Sequence, residues 1–313
     1  MLRPSKLVTA TAAVVVAVPL VAGCEAKVYG TPPEPPGPQL TVIAPMGTKA
    51  PLPEAPPDEP AKTFAGLDGR ITQATADAAK AGADITITVL DRNTGQILSN
   101  GNKEAMPIAS VVKLFIADDL LLQEAQRQTQ LSPADRQAFD AMLRSSDDSA
   151  AEVFWNRSGG SAIVSRVTAR YGLGGTTTPY NGRWFNTLST TADLVQYYDK
   201  LLSGGGGLPP ERANVMLSNL AASTPTAPDG TMPGGVYPQR FGIPEGLFAE
   251  RVAVKQGWFC CWNGGNWVHW STGVIGPDRR YVMAIASMQP VDDVTARNTI
   301  TQAVKTMFPG GRI

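Results

Sequence analysis

Ser110-Val111-Val112-Lys113 opens a run, Leu114-Phe115-Ile116-Ala117-Asp118-Asp119-Leu120, whose apolar periodicity predicts a helix from Ser110 to Gln128. Residues three apart on a helix share a face, so a hydroxyl at 110 and an amine at 113 can meet. A serine at a helix start also lies among free N–H groups, which favour a developing alkoxide. A lysine beside it can act as its base once the amine loses a proton. Read alone, the tetrad is better taken as a helix cap followed by a surface lysine.

Outward from this stretch the elements alternate. Phe64–Ala81 reads as a first helix. Ile85-Thr86-Ile87-Thr88-Val89-Leu90 alternates as a half-buried strand does, and Gln96-Ile97-Leu98-Ser99 returns beyond a turn at Asp91–Gly95. Ser132-Pro133-Ala134-Asp135 has the composition of a helix start, with that helix ending near Arg144. Further helices are expected at Ala150–Trp155, Ala162–Tyr171, Thr190–Leu202 and Pro210–Leu220. Three strands follow at Val252–Phe259, His269–Ile275 and Tyr281–Ser287, with a last helix at Val294–Phe308. Five strands in one antiparallel sheet, with terminal helices on it and a helical subdomain beside it, is the simplest packing, an α/β architecture of the α+β type.

The first 61 residues read as export and spacing. Arg3 and Lys6 precede an apolar run, Leu7–Val21, shorter than the roughly 20 residues of a membrane span. It ends in Val21-Ala22-Gly23-Cys24, small residues before a cysteine. This predicts a signal peptide over 1–23 and lipid attachment at Cys24, with the mature protein tethered to the outer face of the cell membrane. Residues 24–61 are proline-dense and read as a stalk. The folded domain is expected over 62–313.

Composition narrows the chemistry. Lys plus Arg and Asp plus Glu number 27 each, so no nucleic-acid partner is expected. The chain has one histidine, His269, which excludes a multi-histidine metal site, and no metal or other cofactor is expected. His269 itself reads as a strand residue rather than a catalyst. Cys260 and Cys261 are adjacent; a vicinal bond is open to them, although neighbouring Cα atoms about 3.8 Å apart are tighter than ordinary disulfide geometry. Trp258, Phe259, Trp262, Trp267 and Trp270 crowd thirteen positions, and Trp184-Phe185 lies in an earlier loop. They suit a ligand-groove wall or plain packing, the latter favoured for Trp267 and Trp270 by strand alternation.

Two further motifs change the weight of the first. Ser146-Asp147-Asp148 lies at the end of the second long helix, and Lys255-Gln256-Gly257 on the first closing strand. In this order the three resemble the Ser-x-x-Lys, Ser-Asp-Asn and Lys-Thr-Gly set of the class A β-lactamases and penicillin-binding proteins. The resemblance covers the whole domain. It implies Ser110 as acylated nucleophile, Lys113 as its base, Ser146 as proton relay to the leaving group and Lys255 as a positive charge near Ser146 and toward a substrate carboxylate. The N–H groups of Ser110 and Trp258, which follows Gly257, would form the oxyanion hole.

The departures are equally specific. The stretch Tyr171–Thr191, where that family carries a deacylating glutamate, has no Glu or Asp; Asp193 follows at the next helix start. Asp148 replaces an asparagine, which removes an N–H₂ donor and puts a carboxylate near Lys113. Gln256 replaces a threonine where a substrate carboxylate would sit, and Trp258 adds bulk. Only 36 positions separate Ser110 from Ser146, which implies a reduced helical subdomain. These features rank a monomeric envelope module that binds a peptidoglycan-like or peptide ligand first, a serine acyl-enzyme second and a working β-lactamase third.

Cys24→Ala is expected to abolish lipidation, leaving the protein soluble or uncleaved. Detergent-phase partitioning with an immunoblot checks this; a mutant of mature size still in the detergent phase refutes the anchor.

Overall fold

In the computed structural model the described residues are 64–313 apart from Pro233; the expectations for the leader, Cys24 and the stalk fall outside them. Helix α1, Leu67–Lys80, turns Leu67, Ile71, Ala74 and Ala78 inward at helical spacing. Strands β1, Asp84–Asp91, and β2, Gln96–Ser99, follow. The long strands β7, Val252–Trp262, β8, Asn266–Ile275, and β9, Tyr281–Gln289, close the chain before helix α9, Asp293–Met307. These five make one antiparallel sheet in the order β2-β1-β9-β8-β7.

The sheet separates two apolar layers. On one face Ile85, Ile87 and Val89 of β1 pack with α1, with α9 through Ile300 and Val304, and with the one-turn helix α8, Ile243–Gly246. On the other face lie α2, Lys113–Ala125, α3, Pro133–Arg144, α4, Asp148–Arg157, α5, Ala162–Tyr171, α6, Thr191–Ser203, and α7, Pro210–Ala221. Two short ribbons complete the fold: β3, Met106–Pro107, with β4, Leu188–Ser189, and β5, Thr226–Pro228, with β6, Val236–Pro238.

The sequence expectations hold for element order and differ in detail. β1 alternates as expected, yet its polar face is buried too, because Thr86 and Thr88 each share a 2.9 Å hydrogen bond with Thr191 at the start of α6. The helix expected from Ser110 to Gln128 is a 3₁₀ turn, Ala109–Val112, running into α2. Its end is early because Arg127 turns left-handed (φ 59°) and the Gln128 N–H returns to the Gln123 carbonyl at 2.8 Å. The Ser132 start is a full capping box: its hydroxyl accepts from the Asp135 N–H and the Asp135 carboxylate accepts from the Ser132 N–H. β7 and β8 run longer than expected because they continue through the turn Asn263-Gly264-Gly265, which has positive φ throughout.

β7 is an edge strand, and it positions the site. A Cβ on Gly257 would lie 2.5 Å from the carbonyl of Ile108, so only glycine lets the 3₁₀ turn carrying Ser110 approach the strand. Trp270 is wholly buried, with its indole N–H on the Pro107 carbonyl at 2.8 Å, and Trp267 packs on the α1/α9 side; both are structural.

His269 of β8 is also core. Its Nε2 lies 2.7 Å from the Tyr237 hydroxyl, and Nδ1 has no partner among the described residues. Burial, helped by the charge of Arg297, pushes its pKa from the ordinary 6.5 down to about 3. A depressed folded-state pKa means that, below pH 6.5, the unfolded chain takes up a proton that the fold refuses. Stability is therefore lost as pH falls from about 6.5 toward about 3. Denaturation at a series of pH values is expected to show a loss of about 2 kcal/mol by pH ~5, before carboxylates contribute. His269→Gln should flatten that slope; a wild-type profile flat across the interval refutes the buried neutral imidazole.

Candidate active site

Four side chains that lie far apart in the sequence meet beside β7. The Nζ of Lys113 is 2.8 Å from the hydroxyl of Ser110, one helical step away. The same Nζ is 2.7 Å from the Ser146 carbonyl, 3.1 Å from the Ser146 hydroxyl and 2.5 Å from the Asp148 carboxylate. From the other side, the Nζ of Lys255 donates to the Ser146 hydroxyl at 2.8 Å and to the Gln256 carbonyl at 3.0 Å. Ser146 thus bridges two lysines, and Lys113 bridges two serines.

Local backbone makes this geometry. α3 stops at Arg144, and α4 is capped by Asp147, whose carboxylate accepts from the Ala150 N–H at 2.8 Å. Ser146 is left between the helices in a left-handed conformation (φ 55°), which is uncommon for a side-chain-bearing residue. Asp147 is spent on the cap, so of the two acids only Asp148 faces Lys113. A Cβ on Gly230 would lie 2.4 Å from Asp148 Oδ2, so the segment beyond β5 presses on that carboxylate.

Lys113 and Lys255 have almost no exposed surface. Burial pushes Lys113 below the ordinary lysine range, opposed by the charge and hydrogen bond of Asp148. Lys255 is held well below its ordinary value by burial and then by the nearby Lys113, with Asp148 again opposing. An ammonium has three protons, and Lys113 meets four oxygens. A neutral Lys113 can donate to Asp148 and the Ser146 carbonyl while its lone pair takes the Ser110 proton. The surface-lysine alternative for 113 is excluded by its burial.

A pocket of about 200 Å³ opens onto this cluster. Ser110, Asp148, Trp184, Phe185, Gly230, Thr231, Trp258, Phe259 and Cys260 are among the residues that line it. The Trp184 ring stands 4.8 Å over the Lys113 Nζ, and its N–H donates to Glu152 at 3.0 Å. Trp258 stacks on Tyr237 with centroids 4.2 Å apart. The carbonyl of Gln256 turns toward the free edge to meet Lys255. By strand alternation the Trp258 N–H turns the same way, as an oxyanion donor beside Ser110 must.

Other expected residues sit differently. Gln256 does not crowd the pocket: its amide is buried behind β7 and donates to the carbonyls of Gln239 and Phe241. The reason is that the 239–241 segment runs behind the strand and offers those carbonyls. Gly257 serves close packing. Cys260 and Cys261 form a vicinal disulfide at the pocket edge. Asp193 stays out of the site: its carboxylate accepts from the Gly175 N–H and the Thr176 hydroxyl, so it fastens the loop before α6. The sequence reading missed Glu152, Tyr237 and the pocket-lining pair Gly230-Thr231. Glu152 lies one helical turn beyond Asp148, a spacing that would have found it; the other two lie beyond any local signal.

No family model matches the chain. It is 54% identical, over 99% of its own length and 99% of theirs, to the proteins named "Putative lipoprotein LppW" in Mycobacterium tuberculosis and Mycobacterium bovis. The chain belongs to the LppW family. Solved structures extend the likeness at the level of fold. PBP-A aligns with a TM-score of 0.62 at 18% identity, covering 78% of this chain and 94% of that one. A β-lactamase from Chitinophaga pinensis aligns at 0.61 and 15%, covering 77% and 98%. A PBP-A mutant solved as an acyl-enzyme with penicillin G aligns at 0.63 and 18%, covering 78% and 96%. The chain therefore has the serine β-lactamase and penicillin-binding fold, as the three motifs implied.

Because the Asp148 charge raises the Lys113 pKa, removing it should free the amine at lower pH. In Asp148→Asn, the pH profile for labelling of Ser110 by a fluorophosphonate is expected to move to lower pH. An unmoved midpoint would mean that Asp148 does not control the protonation of Lys113.

Proposed function

We propose that this protein is a serine acyl-enzyme of the cell envelope, lipid-anchored through Cys24 to the outer face of the cell membrane, with little or no β-lactamase turnover. The observation that supports it most is the unbroken contact from the Ser110 hydroxyl through Lys113 and Ser146 to Lys255, every link 3.1 Å or less. A chain that had merely kept the fold would have no reason to hold two lysines out of water around two serines. The burial of both cations is costly, and catalytic use is the ordinary reason to bear it. The anchor is supported by the small-residue box before Cys24 and by the lipoprotein name of the relatives.

In this reading Lys113 takes the Ser110 proton as Oγ attacks an acyl carbonyl. The N–H groups of Ser110 and Trp258 hold the oxyanion, and Ser146, backed by Lys255, returns the proton to the leaving group. Release of the acyl group then needs water and a base. Tyr171–Thr191 offers no carboxylate, and Trp184 of that segment covers Lys113 instead. A positioned base is worth about 10²–10⁴-fold, or about 3–5 kcal/mol of barrier, so deacylation is slow. The second reading, a ligand-binding module without turnover, is favoured by one contact: the 2.5 Å pair with Asp148, which would keep Lys113 charged.

Two measurements on the detergent-solubilised full chain separate these. Steady-state assays with a chromogenic cephalosporin are expected to show no efficient hydrolysis; rates typical of working β-lactamases, abolished by Ser110→Ala, overturn that. Intact-mass analysis after a fluorophosphonate is expected to show one adduct on Ser110. No adduct leaves the binding module.

A further inference from the structure

The pocket also bears on what the enzyme accepts, an inference that rests on the acyl-enzyme reading above. Among the described residues lining it, the formal charge is a carboxylate, that of Asp148, whose side chain is 45% exposed; no lysine or arginine is among them. Lys255 cannot reach a ligand as it stands. Its side chain is buried and its Nζ is engaged by Ser146 and by the Gln256 carbonyl. The Gln256 amide, the next polar group along β7, points behind the strand. The neighbouring strands offer no replacement, since neither Asn266–Ile275 nor Tyr281–Gln289 contains Lys or Arg. Arg297 packs behind Tyr237 and is paired with Asp293 at 2.8 Å. A substrate carboxylate entering here would meet a like charge and no cation among the lining residues, in a site lined by Trp184, Phe185, Trp258 and Phe259.

We infer that the substrate is a carboxylate-free ester with an apolar acyl group, rather than a peptide or lactam that carries a carboxylate beside the scissile bond. Ser110 Oγ bonds to the ester carbonyl carbon and the C–O bond to the alcohol breaks. The Ser110 proton passes through Lys113 and Ser146 to the departing alkoxide, giving a neutral alcohol and an acyl-serine. Water then adds to that carbonyl, the Ser110 Oγ–carbon bond breaks, and one water proton returns to Ser110, releasing the acid. No oxidant, reductant or further co-reactant is consumed. The aromatic walls offer the acyl group apolar and π surface.

A matched pair of esters tests this on the full chain in detergent: the phenyl ester of phenylacetylglycine and its 3-carboxyphenyl counterpart, each rate corrected for alkaline hydrolysis. Phenol release and Ser110 acylation by intact mass are read together. The phenyl ester is expected to acylate roughly tenfold faster or more, with the gap narrowing in ~1 M salt, where like-charge repulsion is screened. Asp148→Asn should narrow it as well; should that variant fail to fold, the salt series carries the test alone. Equal rates, or a faster carboxylated ester, overturn the substrate class while leaving Ser110 as nucleophile. If neither ester nor a fluorophosphonate modifies Ser110, the acyl-enzyme reading fails and the substrate class falls with it.

Discussion

The Nζ of Lys113 has four oxygens within 3.1 Å and its side chain is fully buried, and most of the architecture around the site can be traced to that demand. A buried amine needs partners on every side, or its desolvation dominates. Ser110 supplies one through the 3₁₀ turn, and Gly257 lets that turn approach β7. Ser146 supplies two, from a left-handed conformation between α3 and α4. Asp148 supplies the fourth from the first residue of α4, an end that already favours an anion. The indole of Trp184 then covers the exposed side. Shifting any of these would leave a charge or a donor uncompensated in the interior.

The same cluster sets a balance between two protonation states. Burial favours a neutral Lys113, and the Asp148 carboxylate favours the ammonium. Lys255 adds a second cation that a charged Lys113 would repel, and the repulsion falls on Lys255. One proton shared among Lys113, Ser146 and Lys255 is easier to accommodate than two. Proton transfer within such a group is short in distance and needs no rearrangement, which a relay from Ser110 to a leaving group requires.

Periodicity and caps made the fold legible in the sequence. α1, the Ser132 capping box and the alternation of β1 follow local rules, and element order then led to the five-stranded sheet. The four residues that meet beside β7 were legible as a group because their spacing is a motif. Their surroundings were not, because they depend on contacts between distant segments. Nothing near Gln256 says that 239–241 will present two carbonyls behind it. The burial of Thr86 and Thr88 depends on a threonine about a hundred positions later. The β7–β8 hairpin extends past its expected ends because two glycines and an asparagine accept positive φ, a possibility local propensity does not weigh.

The loop between α5 and α6 shows how the departures fit together. A deacylating carboxylate must project from such a loop toward the nucleophile. Here the nearest acid in sequence, Asp193, is directed back into the loop and fastens Gly175 and Thr176. Thr176 is linked onward to Ser189 at 2.7 Å, so the loop is tied at its base by polar contacts of its own. The side chains it sends to the pocket are Trp184 and Phe185, which meet edge-on, and Phe185 packs against Phe259 with ring centroids 5.8 Å apart. Trp184 is held from behind by Glu152, so its place over Lys113 is built rather than incidental. Moving an acid into the loop would therefore not restore the hydrolytic step by itself. The indole occupies the approach to Lys113, and both the aromatic wall and the Glu152 contact that supports it would have to be rebuilt.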